Sequence, residues 1–236
     1  MVNLLRSFFI ALIICVAALV SVGQQQNNPL PAQSPKPPAP ENVLEWGDNF
    51  DGKELDQTKW ERFTFEGGNG GTFKVEDGEL RMRGVSGARS GVRSKQTFKG
   101  DHFVINATLA KVGAALPESG SSGAPLGNAI LTVLFDGSGR NRVEWILTSE
   151  GMFEAWTMVD GRGERLDSRN MATKATKPTL SIARRGDEYL FALNGQVGLQ
   201  KTIKNLPGTF HVMLYGYGSS ENNWDLVQVL LVKQPK

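Results

Sequence analysis

The stretch GTFKVEDGELRMRG, residues 71–84, reads as two short strands joined by a tight turn. Leu80 and Met82 alternate with Arg81 and Arg83, the period of two that a half-buried strand carries. Asp77-Gly78 stands between the two alternating runs, and such a pair takes the positive φ angles that a two-residue hairpin turn needs. The same pattern spreads outward from this hairpin. HFVINATLA (102–110) places Phe103, Ile105, Ala107 and Leu109 on one face. NAILTVLFDG, NRVEWILT, GMFEAWTM, TLSIARRGDEYLFALNG, GTFHVMLYGYG and WDLVQVLLVK continue it to the end of the chain. Beyond the first residues no window keeps an apolar period of 3.6. The chain is therefore predicted to be an all-β sandwich of about 12–14 short strands.

Composition narrows the class. The chain is 40% hydrophobic and 21% charged, which fits a packed core and not wholesale disorder. At the N-terminus Arg6 precedes a run from Phe8 to Val22 that holds neither charge nor proline. Such a run is shorter than the roughly 20 residues that span a membrane. Small residues at Ser21 and Gly23 complete the pattern of a secretory signal peptide over residues 1–23, and an uncleaved anchor is the alternative. Residues 24–42 carry six prolines between Pro29 and Pro40 and read as an extended proline-rich spacer. The sandwich is then expected over 43–236, secreted, periplasmic or cell-surface, with no membrane insertion once the signal is removed.

The only cysteine, Cys15, lies in the leader, so the mature fold must stand without disulfides. With Arg6 removed the basic and acidic residues nearly balance, and no basic run invites nucleic acid. His102 and His211 are far apart and lack cysteine companions, which argues against zinc. No nucleophile elbow follows a strand, and EGGNGG (66–71) lacks the helix and G-K-[ST] of a phosphate loop. The long stretch 112–128, rich in glycine, serine and proline, is expected as a loop that either borders a cleft or is a plain insertion.

VEWILTSEGMFEAW (143–156) is the most informative segment for function. A three-residue loop, Ser149-Glu150-Gly151, pairs Thr148 with Met152 and leaves Gly151 where a left-handed residue is wanted. This register puts Val143, Trp145, Leu147, Phe153 and Ala155 on one apolar face. Glu144, Ile146, Thr148, Met152, Glu154 and Trp156 fall on the other. Glu144 then faces Trp156, and Glu154 is its diagonal neighbour with backbones roughly 7–8 Å apart. Carboxyl groups about 5–5.5 Å apart suit a retaining glycosidase and about 6.5–9.5 Å an inverting one. Spacing alone therefore leaves catalysis by Glu144 and Glu154 open. A flat indole beside hydrogen-bonding groups is equally a sugar-binding surface. His211, Met213 and Tyr215 alternate with Phe210, Val212 and Leu214 and are expected to face away from the core. His211 and Tyr215, with Arg81, Arg93 and Asn106, complete the candidate ligand-binding set.

Three phrases resemble the concanavalin A-like lectin/glucanase superfamily: DNFDGKELDQTKWERF (48–63), FKVEDGELRMRG (73–84) and, in laminin-G-like relatives, LSIARRGDEYLFALNGQ (180–196). The resemblance implies a jelly roll whose concave sheet binds or cleaves glycans. In its family 16 glycoside hydrolases the catalytic residues lie on one strand as E-x-D-x-E. From Glu144 this chain has Ile146 and Thr148 at the next two positions of that pattern. The expectation is thus a non-catalytic module for a polysaccharide or a cell-surface glycan or protein, with no cofactor. A divergent hydrolase and a protein-interaction domain without a sugar site are the alternatives. Related sandwiches often hold one calcium near the chain ends, which makes Asp48, Asp51 and Asp225 candidate oxygen ligands.

Overall fold

Two antiparallel sheets, with no helix among the described residues, make up the fold. The structure is a computed structural model and describes residues 41–66, 71–84, 89–115, 128–148, 151–170, 177–217 and 220–233. The leader, most of the spacer and residues 116–127 of the long glycine-rich stretch lie outside that set. Among the described residues no helix is long and apolar enough to cross a membrane.

The strands are β1 (Glu41–Asp48), β2 (Trp60–Glu66), β3 (Thr72–Glu76), β4 (Glu79–Arg83), β5 (Arg89–Ser94), β6 (Phe98–Lys99), β7 (His102–Ala115) and β8 (Asn128–Leu134). There follow β9 (Arg142–Thr148), β10 (Met152–Val159), β11 (Arg162–Asn170), β12 (Thr179–Arg185), β13 (Glu188–Leu193), β14 (Gln196–Thr202), β15 (Thr209–Tyr217) and β16 (Ser220–Lys233). Sheet 1 runs β14-β13-β12-β7-β16-β4-β3, with β1 also paired to β16. Sheet 2 runs β11-β10-β9-β8-β15-β5-β2, with the two-residue β6 paired to β15. β1 begins at Glu41, which pairs with Lys233 near the other end of the domain.

The sixteen strands among the described residues exceed the 12–14 expected from the sequence. RGERLDSRN and QVGLQKT form β11 and β14, and each closes one edge of its sheet. An edge strand has one neighbour and much exposed surface, so its side chains need not alternate in polarity. β7 also runs four residues into the stretch expected as a loop. The tight turns behave as their sequences dictate. Asp77-Gly78, Asp160-Gly161 and Asn194-Gly195 all have positive φ at both residues, as a primed hairpin turn requires.

Side chains from both sheets meet in the middle. Phe103 of β7 and Phe210 of β15 lie with ring centroids 4.2 Å apart, and both are fully buried. Trp145 of β9 packs between Phe153 of its own sheet and Phe191 of sheet 1, at 5.3 and 5.5 Å. Its indole N–H, which would be costly to bury unpaired, donates to the Ala192 carbonyl at 3.0 Å. Trp145 is thus a core residue, as the alternation indicates.

Candidate functional site

The β9–β10 hairpin has the register that its sequence favours. Phe153 pairs with Leu147, Glu154 with Ile146 and Trp156 with Glu144. Gly151 stands at φ 79°, and its N–H donates to the Thr148 carbonyl at 3.0 Å. Because Trp145 points into the core, Glu144 and Ile146 project from the opposite, outer face of sheet 2.

Glu144 is 6% exposed on that face, so it needs partners. Arg142, two residues earlier on the same side of β9, donates Nε to Glu144 Oε1 at 2.5 Å. The Tyr215 hydroxyl of β15 donates to the same oxygen at 2.7 Å. Arg142 Nη1 also donates to the Gly139 carbonyl at 2.6 Å. Burial, then the charge of Glu144 and its hydrogen bond, push the Tyr215 phenol well above its usual value. Tyr215 therefore stays a protonated donor across the physiological range. Glu144 Oε2 takes part in no hydrogen bond among the described residues and is left as an acceptor.

On β10, Trp156 Nε1 donates to Glu154 Oε2 at 2.9 Å. Arg165 of β11 faces Trp156 across the ladder, and its Nη1 lies 3.8 Å from Glu154 Oε1. The edge of the indole is thus fixed by a carboxylate. A cleft of about 150 Å³ opens here, bounded by Arg142, Glu144, Glu154, Trp156, Met158 and Tyr215. Chemically it offers one half-buried aromatic plate, two carboxylates and buried cation support. Thr148, four residues after Glu144, uses its hydroxyl to accept the Met152 N–H at 3.2 Å. A threonine hydroxyl is far too weak an acid to stand in for a carboxyl group in proton transfer, so Thr148 does not replace a glutamate at this spacing.

The structure groups only part of the set expected from sequence. Glu144, Glu154, Trp156 and Tyr215 come together. His211 and Arg93 lie elsewhere on sheet 2. His211 Nδ1 sits 2.8 Å from the Ser94 carbonyl, and Arg93 Nη2 bonds Glu61 at 2.5 Å while stacking over Phe63. Tyr215 and Met213 do face away from the inter-sheet core, yet both are covered. Arg81 and Asn106 lie on sheet 1, which corrects their expected membership of one surface. Arg81 bonds Glu76 and Asp77, and Asn106 accepts the Ser181 hydroxyl at 2.7 Å. Alternation tells which side of a strand a residue takes, not which sheet the strand joins.

The expected oxygen cluster of Asp48, Asp51 and Asp225 does not gather. Asp48 Oδ2 accepts the Trp60 indole N–H at 2.7 Å, and its Oδ1 accepts the Phe50 N–H at 3.0 Å. Asp51 takes the Asn49 amide, and Asp225 bonds Lys177 Nζ at 2.7 Å. Among the described residues no three His, Cys, Asp or Glu side chains are placed to share a metal ion. The DNF…W phrase is instead a clasp between the end of β1 and the start of β2.

One neighbour of the cleft was not legible in the sequence. The turn between β8 and β9 is organised by Asp136, whose Oδ1 accepts the N–H groups of Ser138, Gly139 and Arg140 at 2.9, 2.6 and 3.1 Å. Its Oδ2 accepts Asn141 Nδ2 at 2.8 Å. Burial alone would raise the Asp136 pKa. The bonds from Asn141, Ser138 and Gly139 outweigh it and hold the pKa below the usual 3.8. A carboxylate depressed in the folded state adds stability above its unfolded pKa, and this is lost as pH falls through the folded value. Asp136→Asn is therefore expected to lower stability at neutral pH and to lose that difference below about pH 4. Urea midpoints of both proteins against pH check this, and parallel curves down to pH 2 would refute it.

No family model matches the sequence, and no curated protein matches it. Solved structures do match in shape. An endo-β-1,3-glucanase from Pyrococcus furiosus aligns with a TM-score of 0.62 at 13% identity, covering 82% of this chain and 95% of that one. A Bacillus subtilis protein of unknown function with a galectin-like fold aligns at 0.61 and 10% identity, covering 83% and 100%. A Bacillus licheniformis β-glucanase aligns at 0.55 and 14% identity, covering 78% and 96%. The fold is the concanavalin A-like sandwich that the sequence phrases resemble.

Proposed function

We propose that this chain is an exported, non-catalytic module that binds a polysaccharide or cell-surface glycan on the outer face of sheet 2. The observation that carries the reading is the Trp156 plate. Glu154 holds its indole edge at 2.9 Å, and Glu144 presents a buried carboxylate opposite it across the ladder. A pyranose ring stacks its C–H face on such an indole, while fixed carboxylates accept the hydroxyl protons. Hydrolysis would need one carboxyl group to carry a proton and a second to stay ionised. Here Glu144 is engaged by Arg142 and Tyr215, and Glu154 by the Trp156 indole, so both carboxylates serve as acceptors within the fold. The glucanases and the galectin-like protein of similar fold make glycans the first ligands to try.

Affinity electrophoresis tests this with gels containing β-1,3-glucan, β-1,4-glucan or a uronic-acid polymer. One polymer is expected to retard the protein, and Trp156→Ala is expected to weaken that retardation on the order of tenfold or more. Migration unchanged across all three gels would overturn the reading. Release of reducing ends by the protein, lost in Glu154→Gln, would replace it with hydrolysis.

A further inference from the structure

Independently of the glycan reading, we propose that the seam between β2 and β3 is a docking surface for an extended peptide, which adds a strand to sheet 1 beside β3. β3 is the last strand of sheet 1 and β2 the last of sheet 2, and among the described residues each pairs on one side only. A cavity of about 320 Å³ lies between them. Trp60, Glu61 and Arg62 of β2 and Phe73, Lys74 and Val75 of β3 line it, three consecutive residues from each strand. Consecutive side chains point to opposite faces of a sheet, so a cavity that touches three in a row runs along the edge of the strand.

The ladders fix which backbone groups face that edge. Asp77-Gly78 is a two-residue turn with positive φ at both positions, so Glu76 and Glu79 form the first hydrogen-bonded rung of the β3–β4 hairpin. Such rungs alternate, which leaves Phe73 and Val75 with N–H and C=O directed away from β4. On β2 the Lys95 N–H donates to the Lys59 carbonyl at 2.8 Å, which sets the same alternation there and turns the Arg62 backbone away from β5. The donors and acceptors of Phe73 and Val75 thus recur at every second residue along an edge, the spacing that another extended peptide backbone matches.

Side chains define what that peptide carries. A residue paired with Phe73 or Val75 shares their face, where half-buried Phe73 and Leu55 and buried Val75 and Trp60 offer apolar contact. The residue between them falls opposite Lys74, an exposed side chain that reaches Glu76 at 2.7 Å. Arg62, exposed and 4.8 Å from the Phe73 ring centre, and Lys53 add two cations with no carboxylate partner among the described residues. Of the carboxylates lining the cavity, Glu61 is held by Arg93 and Glu54 is left. The balance favours an acidic group at the middle position, so the strand that fits reads apolar, acidic, apolar.

The test titrates the whole isotope-labelled protein with the end-capped peptide Thr-Val-Glu-Val-Thr and follows its amide resonances. Saturable shifts of the Phe73 and Val75 amides are expected, with a Kd on the order of 1 mM or tighter, and hydrogen exchange at both should slow. N-methylation of the two peptide valines, whose N–H groups would face β3, should abolish binding. N-methylation of the glutamate, whose N–H would face away, should leave it. Lysine in place of the peptide's glutamate should weaken binding about threefold or more, and Lys74→Glu should reverse that preference. No saturation up to about 10 mM peptide would overturn the proposal. So would equal binding by the two N-methylated peptides, because strand addition needs the valine N–H groups. A peptide preference unchanged in Lys74→Glu would overturn the placement beside β3. None of these outcomes involves Trp156 or a sugar, so failure here leaves glycan binding to its own test.

Discussion

Glu144→Ala should lower the unfolding free energy by about 3–5 kcal/mol, the range for removing one partner of a buried ion pair. The loss comes from what remains behind. Arg142, 6% exposed, keeps the Gly139 carbonyl but loses its only anionic partner among the described residues. Tyr215, fully buried, loses the acceptor of its hydroxyl. Glu144→Gln keeps an acceptor for Tyr215 but no charge for Arg142, so its loss should be intermediate. Arg142→Met with Glu144→Leu removes both charges, and the double variant is expected to recover part of the single-variant loss. Urea unfolding of the wild type and these three variants measures the losses. A Glu144→Ala loss below about 1 kcal/mol, the level of an exposed pair, would show that the triad is solvated.

Trp60→Ala is the second large effect, with an expected loss of about 3–5 kcal/mol. Trp60 is fully buried where the two sheets meet. Its indole stacks on Phe50 at 5.9 Å and meets Trp46 of β1 edge-on at 5.0 Å. It also donates to Asp48 at 2.7 Å, so alanine would leave a cavity and a buried carboxylate with one fewer donor. Phe50 is held at φ 56°, an uncommon conformation for a non-glycine residue, and the Asp48 bond to its N–H helps to hold it there. Trp60→Phe separates the two contributions. It refills most of the volume and should cost about 1–3 kcal/mol for the unpaired acceptor. Equal losses for both variants would mean that packing contributes little beyond the hydrogen bond.

The hairpin at 143–156 was legible because local rules agree there. A glycine at the left-handed position, a three-residue loop and an unbroken apolar face allow one register. The same alternation placed Trp145 in the core. It failed where the answer depended on distant partners. Glu144 is buried by Tyr215, 71 residues away in sequence, and the ring packed on Tyr215 and Arg142 comes from Phe65, 79 residues away. Nothing near VEWILT announces either, although Arg142 at two residues' distance was a readable sign that Glu144 would be paired. β11 and β14 escaped because edge strands carry polar residues on both faces. The oxygen-ligand expectation for Asp48 and Asp51 comes from the resemblance; a carboxylate in a turn can serve either a metal or an N–H donor, and only the position of Trp60 separates the two.

The pairing of Glu41 with Lys233 also has a mechanical meaning. The antiparallel β1–β16 ladder starts at that pair and runs inward to Asp48 and Val227. Tension drawn between the two ends of the domain therefore loads a single rung at a time, as in opening a zip, and not the whole ladder in shear. The domain should yield at low force, shedding β1 first, until the pull reaches the aspartate–indole clasp at the far end of that strand.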